Sequence, residues 1–281
     1  MTVHKEPGGG FWTFESPLDA HLEVPSLAEL ASAWHTYHGE SDLITLEDHM
    51  FGVCERPEEK PSVIISLDLC EIVRQTGPSL TRIYSHDTPS IEDGYGVYYG
   101  DEVLGDDTQQ AREILLPNLM HLDHVVPVPF SDAITAFMQR WRKRGAYIIA
   151  NTSTLPGCEL STVRFLSEHY PQTTRGILLP RNHDGQGATT KAGILHHSKE
   201  QISSLLGFEL QDTPTIAIED AYHHAMGYID HPSDVHIFMP TYSWNELLEE
   251  NGNVTRVQQQ FGTLDTFIAV DEYLQSRGIV K

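Results

Sequence analysis

Short apolar runs alternate with amphipathic stretches along the chain from residue 61 onward. Within each run the apolar residues follow one another almost without interruption, which is typical of strands buried on both faces of a parallel sheet. Five strands are predicted on this basis: Val63–Leu67, Tyr147–Ala150, Gly176–Leu179, Thr215–Ile218 and Val235–Met239.

Helix-end signals mark two amphipathic segments between these strands. Ser131 is predicted to cap the first segment and Thr190 the second, which ends at Gly207. The first segment finishes in four cations, Arg140, Arg142, Lys143 and Arg144. Cations stabilise the negative end of a helix dipole, and phosphate binding is the alternative interpretation of this cluster.

The alternation of strand and helix over residues 61–240 predicts a doubly wound, Rossmann-like α/β fold, with a parallel sheet and helices on both faces. Residues 1–60 are predicted to form an N-terminal helical appendage, in which Ser26 and Glu29 supply a capping box. Residues 241–281 are predicted to form a C-terminal helical segment. Its amphipathic helix would pack on the sheet or on a second copy of the chain in a homo-oligomer.

An insertion, residues 74–127, follows the first strand directly and carries acidic, glycine-rich turns. Because it must leave and re-enter the fold beside the end of that strand, we predict a small cap over the strand ends. A peripheral excursion far from those ends is the alternative.

The charge of the chain restricts its partners. Forty acidic residues face 18 basic ones, giving a net charge of -22. Such a chain repels nucleic-acid backbones and anionic lipids, so no long nucleic acid and no membrane is expected as a partner. Three cysteines without a CxxC pair suit a reducing compartment, and no secretory signal is recognisable, so a cytoplasmic location is expected.

Candidate chemistry lies just after the predicted strands, where open parallel sheets bind ligands. The residues that follow the strands are Asp68, Cys70, Asn151, Thr152, Ser153, Glu219 and Asp220, and Lys191 lies just inside the helix between the third and fourth strands. Three carboxylates supply the oxygen ligands that Mg²⁺ prefers, while a lysine and a hydroxyl can hold a phosphate group. Sixteen histidines, two adjacent pairs among them, lack the spacing of a zinc site and are interpreted as surface or capping residues.

The same segments resemble the four motifs of the haloacid dehalogenase (HAD-like) superfamily of phosphatases. The first motif, an apolar strand ending in two aspartates, is matched by residues 64–73, and the second, a strand ending in Thr or Ser, by residues 148–152. The third is a lysine, matched by Lys191, and the fourth is a strand ending in paired acids, matched by residues 215–220. The resemblance covers roughly residues 61–240.

The resemblance implies an Mg²⁺-dependent phosphohydrolase that acts on a small phosphorylated metabolite, with a nucleotide as one candidate, through an aspartyl-phosphate at Asp68. The implied catalytic residues are Asp68, Cys70, Thr152 and Lys191. The implied metal ligands are Asp68, Glu219 and Asp220. The candidate substrate contacts are Asn151, Ser153 and His223.

The first motif departs from the family pattern because it contains one aspartate instead of two. In one alignment Asp68 is the nucleophile and Cys70 takes the acid/base position, with Glu71 as a replacement acid. In the other, Ser66 takes the nucleophile position and Asp68 the acid/base position. The apolar residues 72–73 favour the first alignment. The second implies a fold that has lost its chemistry and serves as a ligand-binding or interaction protein.

Overall fold

The computed structural model describes residues 3–5, 12–14, 24–46, 50–75, 125–153, 157–180, 190–206, 209–230, 235–242, 245 and 252–279. The strands are β1 Val3–Lys5, β2 Trp12–Phe14, β3 Leu43–Leu46, β4 Met50–Glu55, β5 Val63–Leu67, β6 Arg74–Gln75, β7 Val126–Pro127, β8 Ala146–Asn151, β9 Gly176–Pro180, β10 Thr215–Ile218, β11 Val235–Pro240 and β12 Val254–Val257. The helices are α1 Leu27–His38, α2 Ser131–Lys143, α3 Glu159–His169, α4 Lys191–Leu206, α5 Tyr222–Asp230 and α6 Leu264–Ser276.

An eight-stranded sheet forms the centre of the molecule, in the order β12-β11-β10-β5-β8-β9-β4-β3. The strands from β12 to β9 run parallel, and β4 and β3 join antiparallel at one edge. Helices pack on both faces of this sheet. The predicted doubly wound α/β fold is therefore confirmed.

The five predicted strands all lie in this sheet. Strands β5 and β10 have the predicted bounds, and β8, β9 and β11 extend one residue further at one or both ends. Every residue of β5, β8 and β10 is buried. The unbroken apolar runs thus reflect strands that are covered on both faces.

Two hydrophobic clusters sandwich the sheet. Helices α1, α2, α3 and α6 cover one face, and α4 and α5 cover the other. Successive residues of β5 alternate between them, with Ile65 and Leu67 in the first cluster and Ile64 in the second. By this alternation Ser66 lies on the face of α4 and α5.

Residues 43–55, within the predicted appendage, contribute two strands to the central sheet. Strand β4 pairs with β9, with Val53 opposite Ile177, and β3 pairs with β4. The capping box of α1 is confirmed, since the Ser26 side chain accepts from the Glu29 amide and the Glu29 side chain accepts from the Ser26 amide. The division of the chain into an appendage and a core stays a prediction.

The two predicted helix caps have different outcomes. The Thr190 hydroxyl accepts a hydrogen bond of 3.0 Å from the Gly193 amide, so this cap of α4 is confirmed. Ser131 is instead the first helical residue of α2, and Phe130, with a left-handed φ of 63°, precedes it without a side-chain capping bond. The prediction for Ser131 was wrong, and Gly207 lies outside the described residues.

The cations at the end of α2 tie this helix to its neighbours. Arg140 lies 2.8 Å from Asp271 of α6, and Arg142 lies 3.0 Å from Glu55 of β4. Helix α6 packs on the sheet, the first of its two predicted positions, with Phe267 among its fully buried residues. None of the helices in the described ranges has the length and apolar character needed to cross a bilayer.

The close approach of β4 to β9 gives a stability test. A Cβ added at Gly176 would lie 2.7 Å from Cys54 Sγ and 2.8 Å from the Val53 carbonyl oxygen. We expect Gly176→Ala to lower the free energy of unfolding by about 1–3 kcal/mol, through overpacking against backbone that cannot move freely. Urea denaturation measures the change.

Gly227 supplies the matched control, because a Cβ there meets no other atom within 4 Å in the described part of the chain. Gly227→Ala lies inside α5 and should raise the free energy of unfolding by about 0.5–1 kcal/mol, since alanine favours helix. Equal effects of the two substitutions would contradict the pairing of β4 with β9.

Candidate functional site

The order of the strands creates a crevice beside β5. The chain runs outward from β5 through β8 to β9, and then returns to β10 on the other side of β5. Ligands in open α/β sheets bind beyond the carboxyl ends of the strands at such a reversal. Asp68 directly follows β5, and Glu219 and Asp220 directly follow β10. The three predicted acids therefore meet at the reversal point.

A buried ammonium group lies between two of these carboxylates. The Nζ atom of Lys191, the first residue of α4, is 2.8 Å from Asp68 Oδ1 and 2.8 Å from Glu219 Oε2. Lys191 and both carboxylates are at most 5% exposed. Residues predicted from three separate segments are thus brought into direct contact.

The backbone fixes the acids at the level of the sheet. The Asp68 amide donates to the Ile218 carbonyl, and the Glu219 amide donates to the Phe238 carbonyl. The Asp220 carbonyl accepts a bond of 2.9 Å from Asn245 Nδ2. The first two bonds extend the parallel ladder to Asp68 and Glu219, so the backbone of the acids is held at the end of the sheet.

The charges of this site do not balance within it. Three carboxylates and one ammonium leave two negative charges among side chains that are nearly excluded from solvent. Buried charge of this kind is compensated by protons or by a bound cation. Asp68, Glu219 and Asp220 could hold a metal ion, since one ligand oxygen from each lies within 4.8 Å of the others. A divalent cation carries the charge that the site lacks.

Without a metal, protons take this role. Burial, and then the Asp68 carboxylate, raises the pKa of Glu219 to about 8. Burial and the neighbouring carboxylates of Asp68 and Glu219 raise the pKa of Asp220 well above its ordinary value. Burial alone would lower the pKa of Lys191, but Asp68 and Glu219 hold it above its ordinary value, so the ammonium stays charged.

Asp68 is the member of the cluster that stays ionised. Burial would raise the pKa of its carboxyl, but the charge of Lys191 and hydrogen bonds from Lys191, the Leu69 amide and Asp220 together lower it. The environments of the acids thus push their pKa values in opposite directions. Such separation is typical of sites that perform acid–base or nucleophilic chemistry.

A tight turn follows Asp68 and contains Cys70. The thiol is half-buried, accepts a bond of 3.3 Å from the buried Arg74 guanidinium, and has its pKa raised, mainly by burial. Glu71 is buried in the same turn with a left-handed φ of 54°, and its carbonyl accepts a bond of 3.0 Å from the Tyr242 hydroxyl. The turn therefore places a neutral thiol and an acid directly beyond Asp68.

Asn151, the last residue of β8, and Thr152, which follows it, occupy different environments. The Thr152 hydroxyl is buried and has no hydrogen-bond partner among the described residues, which leaves it available to a ligand. Asn151 is fully buried, and its amide nitrogen is bonded to Ser66, Tyr228 and the Lys191 carbonyl. Its predicted role as a substrate contact is therefore not evident in this arrangement.

Two further residues, Ser153 and His223, are predicted substrate contacts. Ser153 Oγ lies 3.4 Å from Nε2 of His224, a residue of α5. His223 precedes it in α5, and its side chain lies outside the described residues. Within the described residues, no histidine belongs to a group of potential metal ligands.

The ends of the insertion are held together beside the site. Arg74 and Gln75 of β6 pair antiparallel with Pro127 and Val126 of β7. The chain thus leaves and returns at one place, six residues after Asp68. The predicted cap itself, residues 76–124, lies outside the described residues.

Some residues that shape the site carried no recognisable signal in the sequence. Tyr228 contacts Ser66 across 162 residues, and Asn245 contacts Asp220 across 25. Arg74 is buried although arginine is usually exposed. Only the three-dimensional arrangement assigns these contacts.

Neither a scan against protein-family models nor a search of curated proteins finds a match for the chain. The case for its function therefore depends on the geometry of the site.

The raised pKa of Glu219 predicts how stability depends on pH in a chelator. Between the ordinary value of 4.5 and about 8, the folded protein holds a proton that the unfolded chain has released. The stabilisation that this proton contributes should be complete below pH 4.5. As pH rises from 4.5 toward 8, the free energy of unfolding should fall by about 1.4 kcal/mol per pH unit for one proton. Thermal melting from pH 5.5 to 9 measures the fall.

Glu219→Gln should reduce this dependence, because glutamine does not titrate, while the exposed Glu272→Gln should leave it unchanged. A divalent cation that binds the three carboxylates should raise the melting temperature more at pH 8 than at pH 6, since metal and protons compete for the same oxygens. Identical pH profiles for the parent and Glu219→Gln would refute the assignment.

Proposed function

We propose that the protein is a divalent-cation-dependent phosphohydrolase that acts on a small phosphorylated metabolite. The observation that carries the proposal is the buried set of three carboxylates and one lysine at the reversal point of the sheet. Its two unbalanced negative charges match a divalent cation. The resemblance to the haloacid dehalogenase superfamily supports the same chemistry.

Asp68 is the proposed nucleophile. Its lowered pKa keeps the carboxylate ionised, and its place at the end of β5 holds it at a fixed position. One carboxylate oxygen attacks the phosphorus atom and forms an aspartyl-phosphate, while the bond from phosphorus to the leaving oxygen breaks. Water then attacks the phosphorus, which releases inorganic phosphate and restores Asp68.

Lys191 and Thr152 are the proposed phosphate ligands. The ammonium group already touches Asp68, so it lies within reach of a phosphoryl group attached there. The buried Thr152 hydroxyl has a free donor in the described arrangement. Both would stabilise the charge that develops on the equatorial phosphate oxygens.

Asp68, Glu219 and Asp220 would hold the cation, which we propose to be Mg²⁺ because all three ligands are carboxylate oxygens. When bound, Mg²⁺ would neutralise negative charge on the phosphoryl group and on the attacking carboxylate.

The surroundings of Ser66 and Asp68 favour the alignment in which Asp68 is the nucleophile. Asp68 contacts Lys191 directly. The Ser66 hydroxyl, two residues earlier, is engaged with Tyr228 and Asn151 inside the sheet. A serine held in this way is a poor candidate for attack on a substrate.

Cys70 then occupies the position of the general acid. Its raised pKa keeps the thiol neutral, and Arg74 donates to its sulfur. A thiol of this kind protonates a leaving alkoxide poorly, and general acid catalysis contributes roughly 10²–10⁴ to the rate. We therefore propose substrates with good leaving groups, such as acyl phosphates or pyrophosphates.

The first test is turnover with Mg²⁺. A panel of acetyl phosphate, p-nitrophenyl phosphate, nucleotides and alkyl phosphates should give phosphate release that is fastest for the first two. Asp68→Asn should reduce kcat by about 10³-fold or more, because the amide cannot attack phosphorus.

The exposed Asp42→Asn serves as the control for Asp68→Asn and should retain full activity. Release of phosphate from no member of the panel, or full activity in Asp68→Asn, would rule out the proposed mechanism.

A second test addresses the missing acid. Cys70→Asp places a carboxyl group beside the Arg74 guanidinium, which would compensate its charge. We expect a gain of roughly 10²-fold in kcat on alkyl phosphates and little gain on p-nitrophenyl phosphate, whose leaving group does not need a proton.

Cys70→Asn is the matched control, since it has the same shape without the titrating group. If Cys70→Asp and Cys70→Asn behave alike on alkyl phosphates, position 70 is not the acid/base position.

The thiol at position 70 also motivates a second candidate function, a protein that binds a phosphorylated ligand without hydrolysing it. Calorimetry separates the two candidates. Tight binding of a phosphate ligand together with Mg²⁺, without phosphate release from any substrate in the panel, would favour the binding protein.

A further inference from the structure

A buried network of polar side chains lies beneath the ion site, which is the cluster of Lys191 with Asp68, Glu219 and Asp220. Ser66 Oγ is 2.9 Å from the Tyr228 hydroxyl. Asn151 Nδ2 is 3.1 Å from Ser66 Oγ, 3.2 Å from the Tyr228 hydroxyl and 3.0 Å from the Lys191 carbonyl oxygen. The network joins β5, β8 and α5 to the first residue of α4.

The orientation of the Asn151 amide follows from its partners. The Lys191 carbonyl can only accept, so the nitrogen of Asn151 must face it. Asn151 Oδ1 is buried and has no hydrogen-bond partner among the described residues. The hydrogen bonds of Nδ2 therefore determine the orientation of the amide, and Oδ1 is left without a partner among the described residues.

Packing alone does not account for this network. Ser66 interrupts an otherwise apolar strand, and Asn151 is fully excluded from solvent. Burying polar groups of this kind costs free energy relative to apolar side chains of similar size. A function for the network would explain why an apolar set does not take its place.

We propose that Asn151, supported by Ser66 and Tyr228, is a positioning residue that fixes the start of α4 and thereby holds the Lys191 ammonium between Asp68 and Glu219. Lys191 has a long side chain with many rotamers, and its two ion pairs alone do not fix its backbone. The Asn151 bond to its carbonyl anchors the backbone to β8. The placement of Lys191 depends on this geometry alone, and only its effect on turnover rests on the proposed function.

Nuclear magnetic resonance of the lysine ammonium groups tests the placement directly. The chain has six lysines, so a protein labelled with ¹⁵N-lysine gives few signals. Lys191, with two charge-assisted bonds, and Lys199, bonded to the Gln211 carbonyl and the Thr215 hydroxyl, should both exchange slowly with water. Lys199 is therefore an internal control.

Asn151→Leu keeps the number and branching of the side-chain heavy atoms and removes the donor. We expect the Lys191 signal to shift or broaden by exchange while the Lys199 signal stays in place. Tyr228→Phe removes only a hydroxyl, so this variant should fold even if Asn151→Leu does not. It should shift the Lys191 signal by a smaller amount. Unchanged Lys191 signals in both variants would overturn the proposal.

The kinetic consequence separates positioning from substrate binding. With acetyl phosphate and Mg²⁺, Asn151→Leu should lower kcat by roughly 10²-fold and leave KM nearly unchanged, since small displacements of a catalytic group cost this much. A rise in KM at constant kcat would show that Asn151 contacts substrate instead, against the proposal.

The two proposals can fail separately. If the parent protein releases no phosphate but the Lys191 signal responds to Asn151→Leu, the hydrolase is wrong and the positioning role holds. If the parent is active and neither the Lys191 signal nor kcat responds, the positioning role is wrong and the hydrolase holds.

Discussion

The contact of one ammonium group with two carboxylates constrains the whole functional end of this molecule. Lys191 lies 2.8 Å from both Asp68 and Glu219, and none of the three has significant access to water. A single cation cannot neutralise three acids, so the site binds protons or a metal in every state. The protonation of the site and the stability of the fold are therefore linked, and any metal that the site holds would be linked to both.

The sheet explains how so many like charges can be held together. Asp68 and Glu219 continue the backbone hydrogen bonding of β5 and β10, and Asn245 fixes the carbonyl of Asp220. Arg256 in turn donates to the Asn245 side chain and carbonyl. Repulsion among the carboxylates is opposed by this framework, whose stability comes from the apolar clusters on the two faces. Apolar packing away from the site thus offsets the free-energy cost of holding the carboxylates together.

The sequence predicted the parts of the structure that depend on local pattern. Unbroken apolar runs predicted the bounds of β5 and β10. The polar residues that come directly after these runs in the sequence predicted the acids of the ion site. Contacts between distant segments had no such pattern. Ser66 looked like a possible nucleophile because of its spacing from Asp68, and its bond to Tyr228 depends on how α5 packs. Asn151 looked like a ligand contact because it ends a strand, although it points beneath the site.

Strands β3 and β4 were missed for a different reason. They precede the regular alternation of strand and helix, and they pair antiparallel at the edge of a parallel sheet. Gly52 in β4 also weakens the strand pattern, yet a Cβ there would lie 2.5 Å from the Ile177 carbonyl oxygen. The residue that obscured the strand is the one that permits its close pairing with β9.

The turn after Asp68 places a further acid, Glu71, and the buried Arg74 close to the site. Cys70 adds no charge, but Glu71 is an acid, and its carboxylate contributes to raising the pKa of both Asp220 and Tyr242. Counting Glu71 and the buried Arg74 with the ion site adds one charge of each sign, so the sum of two negative charges is unchanged. The left-handed backbone at Glu71 costs roughly 1–3 kcal/mol. The Tyr242 hydroxyl donates to the Glu71 carbonyl, and this bond stabilises the backbone of the strained turn.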